Sequence, residues 1–224
     1  MPCPDGLNRG FGLSSPEATA LCLTKSYFGI VGGDSLYVSG SALLFLEGGR
    51  RYVLTAGHNL FSHRAGRMAV WFDVWFRRVG DVSLASRQTT QLYVPDEFQN
   101  ANVAGWDFGV ARLKSAVEED RFNPIGLGLS DSDETLLRIS GYPNEDACQG
   151  KHLPYYADLT ATAIDQNNYG YRAQATYEGM SGGPLLHKEP SGEICSYGIH
   201  IRGGSGPRAV RFSQPVRDRI LGWV

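Results

Sequence analysis

Gly179-Met180-Ser181-Gly182-Gly183-Pro184 is the stretch on which the reading of this chain turns. A serine set between glycines sits on a tight turn that exposes its hydroxyl beside free backbone N–H groups. That hydroxyl becomes a good nucleophile only when a neighbouring base takes its proton, and the base must in turn be oriented by a carboxylate. Two earlier segments carry residues of those types. Thr55-Ala56-Gly57-His58 ends in an imidazole, and Trp106-Asp107-Phe108-Gly109-Val110-Ala111 sets a carboxylate at the head of an apolar run. The chain order is His58, Asp107, Ser181, with separations of 49 (107 − 58) and 74 (181 − 107) positions. One such motif is weak evidence; three in this order predict a catalytic trio.

The remaining composition is that of an ordinary folded protein. Of 224 residues, 42% are hydrophobic and 20% charged, which excludes a disordered chain. A net charge of −2 gives no electrostatic footprint for nucleic acid or an anionic membrane, so neither is expected as a partner. Twenty-eight glycines suit a fold with many turns. Cys3, Cys22, Cys148 and Cys195 show no metal-ligand spacing, and two disulfides or free thiols fit them equally. No metal and no cofactor is expected. No apolar run has the length of a membrane helix. The opening Met1-Pro2-Cys3-Pro4-Asp5 lacks the basic flank and apolar stretch of a secretory signal, so the expectation is an intracellular protein, or a secreted one whose leader is not part of this chain.

Short runs rich in β-branched and aromatic residues alternate with turn signals along most of the sequence. The predicted strands are 27–31, 36–46, 51–54, 68–76, 91–94 and 108–113, then 136–140, 155–164, 171–176, 184–186, 197–201 and 209–212. Residues 1–26 read as an N-terminal arm with a helix start at Ser15-Pro16-Glu17, 27–117 as a first β-barrel, 118–135 as a linker, and 136–224 as a second barrel. Val216, Ile220 and Trp223 recur at helical intervals and predict a C-terminal helix. The expected architecture is all-β, two six-stranded antiparallel barrels with a terminal helix. His58 and Asp107 belong to the first half and Ser181 to the second, which predicts a site in the cleft between them.

These motifs resemble those of the chymotrypsin/trypsin-like serine proteases over roughly residues 27–224. Leu54-Thr55-Ala56-Gly57-His58, Trp106 to Leu113, Ser140-Gly141-Tyr142-Pro143 and Gly198-Ile199-His200 followed by Gly203-Gly204 are most similar to the bacterial glutamyl endopeptidases. The resemblance implies that Ser181 attacks the scissile carbonyl, His58 acts as base and then acid, and Asp107 orients His58. It assigns the oxyanion to the backbone N–H groups of Gly179 and Ser181. Loss of one such donor costs about 3–4 kcal/mol of transition-state stabilisation. At the base of the specificity pocket it puts Ala175, which offers no charge partner to a buried Lys or Arg of the substrate. It puts His200, helped by the Thr176 hydroxyl, against a substrate carboxylate, with Gly203 in the pocket wall. Cleavage after Glu, and more slowly after Asp, is the implied activity.

Four positions depart from the relatives. Met180 stands where trypsin-type zymogens carry an aspartate that captures a new N-terminus, so packing must hold the oxyanion loop. Ile201 replaces a serine that assists the buried aspartate in many relatives. Arg202 could lie along the cleft and favour acidic residues in neighbouring subsites. Asn59 follows His58 where many extracellular members carry a disulfide-bonded cysteine.

Blander readings compete at several positions. Asp73 and Asp96 head no comparable apolar run and are poorer partners for His58 than Asp107. His63, His152 and His187 have no motif context and read as surface residues. Trp71, Phe72, Trp75 and Phe76 read as core and edge aromatics, and Arg77-Arg78 as a solvated strand end. The expected protein is a monomer acting on protein or peptide substrates. The alternatives are a non-catalytic binding module of the same fold and an effector that cleaves one partner protein.

Overall fold

The structure is a computed structural model that describes residues 7–9, 15–76, 85–114, 122–144, 153–172, 176–204 and 206–224. Six strands form a first closed barrel: β1 (Leu21–Val31), β2 (Asp34–Glu47), β3 (Arg50–Thr55), β4 (Trp71–Phe76), β5 (Ala85–Tyr93) and β6 (Gly109–Leu113). Their order around the ring is β1-β2-β3-β6-β5-β4, closing back on β1. A second set comprises β7 (Glu134–Gly141), β8 (Tyr155–Asp165), β9 (Asn168–Tyr171), β10 (Pro184–Lys188), β11 (Ile194–Arg202) and β12 (Arg208–Arg211). It closes in the order β7-β8-β9-β12-β11-β10. The two rings have the same connectivity although their sequences show no repeat.

Alternation builds both interiors. On β4, Phe72, Val74 and Phe76 point into the barrel while Trp71, Asp73 and Trp75 face outward. On β8, Tyr155, Ala157, Leu159 and Ala161 are buried between exposed Asp158, Thr160 and Thr162. The period of two sends each strand's apolar set to one side. A third core lies on the seam, where Phe45, Leu54, Phe108 and Val110 of the first barrel meet Ile199, Ile201, Val210 and Phe212 of the second. Helix α3 (Gln214–Leu221) closes that seam. Ser213 caps it by accepting the Val216 N–H, and Val216 and Ile220 are fully buried. Each such side chain contributes about 1.5–3 kcal/mol when removed from water. The seam core therefore fixes one barrel against the other.

Several boundaries differ from the sequence expectation. Helix α1 (Pro16–Ala20) starts at the predicted cap, Ser15 accepting the Ala18 N–H, but β1 then begins at once, at Leu21. The run 68–76 divides, because Arg67–Met68 pairs with Phe61–Ser62 outside the barrel. The strand expected at 171–176 lies earlier, at Asn168–Tyr171, because the Asp165 carboxylate accepts from the Asn167 N–H and the Asn168 amide and closes a tight turn. A short helix, α2 (Asp96–Ala101), was not foreseen; only Phe98 of it is buried, and it ends on Asn102 in the left-handed region at φ 51°. Ala175, Cys3, Cys148, His152 and Arg77-Arg78 lie outside the described residues. Cys22 and Cys195 are free thiols. No described helix is long and apolar enough to cross a membrane.

Candidate active site

His58 sits on a single 3₁₀ turn, Gly57–Asn59, directly after β3. Asp107 ends a second such turn, Ala104–Trp106, just before β6. Strands β3 and β6 are paired, Thr55 opposite Gly109, so the two residues are neighbours across one ladder. Both carboxylate oxygens of Asp107 are used on the histidine. Oδ1 accepts the His58 backbone N–H at 2.8 Å, and Oδ2 pairs with Nδ1 at 2.8 Å. Gly57 permits this approach, since a Cβ there would stand 3.1 Å from Asp107 Oδ1 and from Phe108 N. Asp107 is buried while the His58 side chain is 32% exposed. Burial pulls the His58 pKa down, but the charge and the hydrogen bond of Asp107 outweigh it and the net shift is upward. The aspartate thus holds a proton on Nδ1 and leaves Nε2 as the free basic atom. The hydroxyl that Ile201 lacks is answered here by the backbone donor of His58 itself.

Ser181 lies in the turn before β10. Gly179 and Gly182 on either side adopt φ of +86° and +87°, which L side chains rarely take. The turn is also packed too closely for side chains, a Cβ on Gly182 falling 2.1 Å from the Ser41 carbonyl and one on Gly183 1.9 Å from the Ser140 carbonyl. Met180 is wholly buried in the second-barrel core. Among the described residues, the N–H groups of Gly179 and Ser181 have no acceptor. The Glu178–Gly179 peptide is fixed by its carbonyl, which accepts the Asn144 N–H at 2.6 Å. Because a trans peptide directs its N–H opposite to its C=O, that bond turns the Gly179 N–H away from Asn144. The Ser41 hydroxyl bridges the barrels, accepting the Tyr142 N–H and donating to the Gly179 carbonyl, both at 2.8 Å. The Ser181 hydroxyl makes one hydrogen bond among the described residues, a long one of 3.5 Å to the Ile201 carbonyl, and none to His58. Catalytic hydrogen bonds are often loose before substrate is bound.

Beside His58 and Asp107 runs a cleft of about 510 Å³, lined among others by Ile201, Arg202, Arg208, Phe98 and His63. Arg202 reaches this wall, as its position implied, and its guanidinium also donates to the Gly206 carbonyl. His63 is exposed, as read, and also lines the cleft, its ring edge-on to Phe61 and Phe98. His187 stays on the second barrel, bonded to the Leu136 carbonyl.

His200 is buried on β11. Its Nδ1 is hydrogen-bonded to the Tyr171 hydroxyl, which also reaches the Arg208 carbonyl at 3.2 Å. Burial pushes the His200 pKa down to about 3, with His58 acting in the same direction and the Arg208 carbonyl opposing. Burial holds the Tyr171 hydroxyl protonated, well above its ordinary value. His200 is therefore neutral, with Nε2 left for a ligand. Thr176 Oγ1 is buried with no hydrogen-bond partner among the described residues, and Gly203 packs against it, a Cβ there falling 2.8 Å from that oxygen. Tyr171, Ser41, Asn59 and Asn144 carry no motif of their own; only Asn59 had a sequence signal, its place after His58. No group of three or more metal-ligating side chains occurs among the described residues.

Twin closed rings with a seam helix, and a histidine, aspartate and serine brought to the seam, define a double-barrel protease fold. The family model described as Trypsin matches residues 44–224, and the chain belongs to the trypsin family. It is thereby a serine-type endopeptidase, a hydrolase acting on protein substrates. Among solved structures, a Glu endopeptidase in complex with MPD superposes with a TM-score of 0.79 at 19% identity, covering 96% of this chain and 95% of that one. The protease Anisep from Arthrobacter nicotinovorans gives 0.75 at 17% identity, with 93% and 98% covered. A thermostable serine protease, AL20, from an extremophilic microorganism gives 0.77 at 15%, with the same coverage. At such identities these likenesses speak for the fold. No curated protein matches the chain.

Proposed function

We propose that the chain hydrolyses peptide bonds through His58, Asp107 and Ser181 and prefers glutamate on the acyl side of the cut. The observation that carries the first part is the two-point grip of Asp107 on His58, which leaves Nε2 as the free basic atom of a histidine that lines the cleft. In this reading Nε2 takes the Ser181 proton as Oγ attacks the substrate carbonyl. The oxyanion is received by the N–H groups of Gly179 and Ser181, which have no other acceptor among the described residues. The imidazolium returns the proton to the leaving amine, and water releases the acyl group by the reverse roles.

Three observations support the specificity. Among the described residues, His200 offers a buried imidazole and Thr176 a buried hydroxyl with no partner, and neither is bonded to a carboxylate. One of the similar folds is a Glu endopeptidase. A neutral His200 recognises a carboxylate by donating an Nε2–H, which requires the single Tyr171 proton to turn from the Arg208 carbonyl to Nδ1. A fluorophosphonate probe tests the chemistry: labelling that disappears in Ser181→Ala supports it, and an unlabelled folded wild type rejects it. Peptides differing only at the P1 position test the specificity, which equal turnover after Ala, Leu and Glu would reject.

A further inference from the structure

The peptide between Ser181 and Gly182 is held at both ends. Its N–H donates to the His200 carbonyl of the second barrel at 2.7 Å. Its C=O accepts twice from the first barrel, from the Ser41 N–H at 2.7 Å and from Asn59 Nδ2 at 3.0 Å. Asn59 is the residue after His58, so one side chain ties the turn of the base to the backbone of the nucleophile.

The orientation of that amide is fixed by its neighbours. Thr55 Oγ1 gives its proton to the Ser41 carbonyl at 2.7 Å, so it can only accept from Asn59, and Nδ2 donates to it at 2.9 Å. A flipped amide would set Oδ1 against two acceptors. The correct amide leaves Oδ1 buried with no partner among the described residues, which is costly. Fold stability gains little in exchange, because the Ser181 carbonyl keeps the Ser41 N–H and Thr55 keeps Ser41 when the amide is removed. The room for this side chain is cut out of β2. A Cβ on Gly40 would fall 2.3 Å from Nδ2, 2.8 Å from Cγ and 2.9 Å from Oδ1.

We propose that Asn59 is a positioning residue, seated in a notch made by Gly40, that sets the spacing between His58 and the Ser181 hydroxyl by holding the Ser181 carbonyl from the opposite barrel. This rests on Ser181 being the nucleophile. It gives the loop a tie to the first barrel, at a turn where Met180 can make no ion pair.

The test uses Asn59→Leu, which keeps the volume and removes the orphan oxygen, with Asn59→Ala, Gly40→Ala and the Gly40→Ala/Asn59→Ala pair. Active sites are counted with a fluorophosphonate, and turnover is expressed per titrated site. The expected result is a fall in kcat of about 10- to 100-fold, the scale of a misplaced reacting group. KM should change little, and the melting temperature of Asn59→Leu should be equal or higher. Gly40→Ala should reproduce the loss, and the pair should be no worse than either single variant. Wild-type turnover per titrated site in Asn59→Leu or Asn59→Ala, or additive losses in the pair, overturns the proposal. A folded wild type that the probe does not label removes the serine mechanism and this inference with it; labelling with unaffected variants removes this inference alone.

Discussion

The two halves of the candidate site are built to different degrees of self-sufficiency. In the first barrel, His58 and Asp107 stand on 3₁₀ turns that flank two paired strands and are joined by two hydrogen bonds of 2.8 Å. In the second, Ser181 stands on a turn with two left-handed glycines, and its hydroxyl reaches only a carbonyl at 3.5 Å. The His58–Asp107 pair is thus complete within one half of the molecule, whereas the Ser181 turn depends on contacts that cross the seam. A pair on adjacent strands inherits its geometry from the sheet. A serine on a turn must be held by whatever packs around it.

The largest effects should come from breaking the union of the halves. Ser181→Ala and His58→Ala are each expected to remove turnover by about 10⁶, with the double variant no worse, because the residues act as a unit. Steady-state kinetics on a peptide ester or amide checks this, and additive losses contradict it. Asp107→Asn should cost about 10⁴ in kcat through the wrong tautomer. The pH profile sharpens that prediction. The base works only when neutral, and Asp107 holds the His58 pKa above its ordinary 6.5. Activity should therefore fall as pH drops through a value above 6.5, and in Asp107→Asn that limb should move to lower pH.

Gly182→Ala separates the halves directly. Its Cβ would meet Ser41 O and Thr55 Oγ1 at 2.1 Å, so probe labelling of Ser181 should collapse. NMR titration of His58 should still show its raised pKa, since Asp107 is untouched; loss of that shift would mean the halves are not independent. Tyr171→Phe is expected to do less, lowering the kcat/KM ratio of Glu to Gln peptides about tenfold, or ~1.4 kcal/mol. In the wild type that ratio should be flat from about pH 6 to 9. A charged imidazole would lose its preference as pH rose through its pKa, and for His200 that pKa is about 3, below this window. A ratio that declines near pH 6.5 would show that His200 is charged in use. The smallest effect belongs to the rim. Arg219 grips Glu97 with two hydrogen bonds, yet both side chains are 36% exposed, and Arg219→Ala should cost about 0–1 kcal/mol by denaturant unfolding.

Legibility followed the distance over which each feature is encoded. Thr55-Ala56-Gly57-His58 and the glycines around Ser181 were readable because their backbone requirements are local. Strand alternation on β4 and β8 was readable for the same reason. The start of β1 was hidden because α1 runs into it without a turn signal. Helix α2 was hidden because five of its six side chains are not buried. The Ser41 to Gly179 bond spans 138 positions and the Asn59 to Ser181 bond 122, and no motif announces either. That the exposed His63 lines the cleft was not legible, because only the fold brings Phe98 against it.

Taken alone, the order of amino acids determined which chemical groups are available and where strands with one apolar face run, since both follow from residue type and a period of two; two barrels were implied by the resemblance of its motifs. Which groups meet, and in what charge state, was decided only in three dimensions. Burial, with His58 nearby, holds the His200 pKa down, and the Gly179 N–H has no acceptor among the described residues because Asn144 holds the other side of its peptide. Solvation and hydrogen-bond geometry arise from segments far apart in the chain, so they come into being when the seam between the barrels closes.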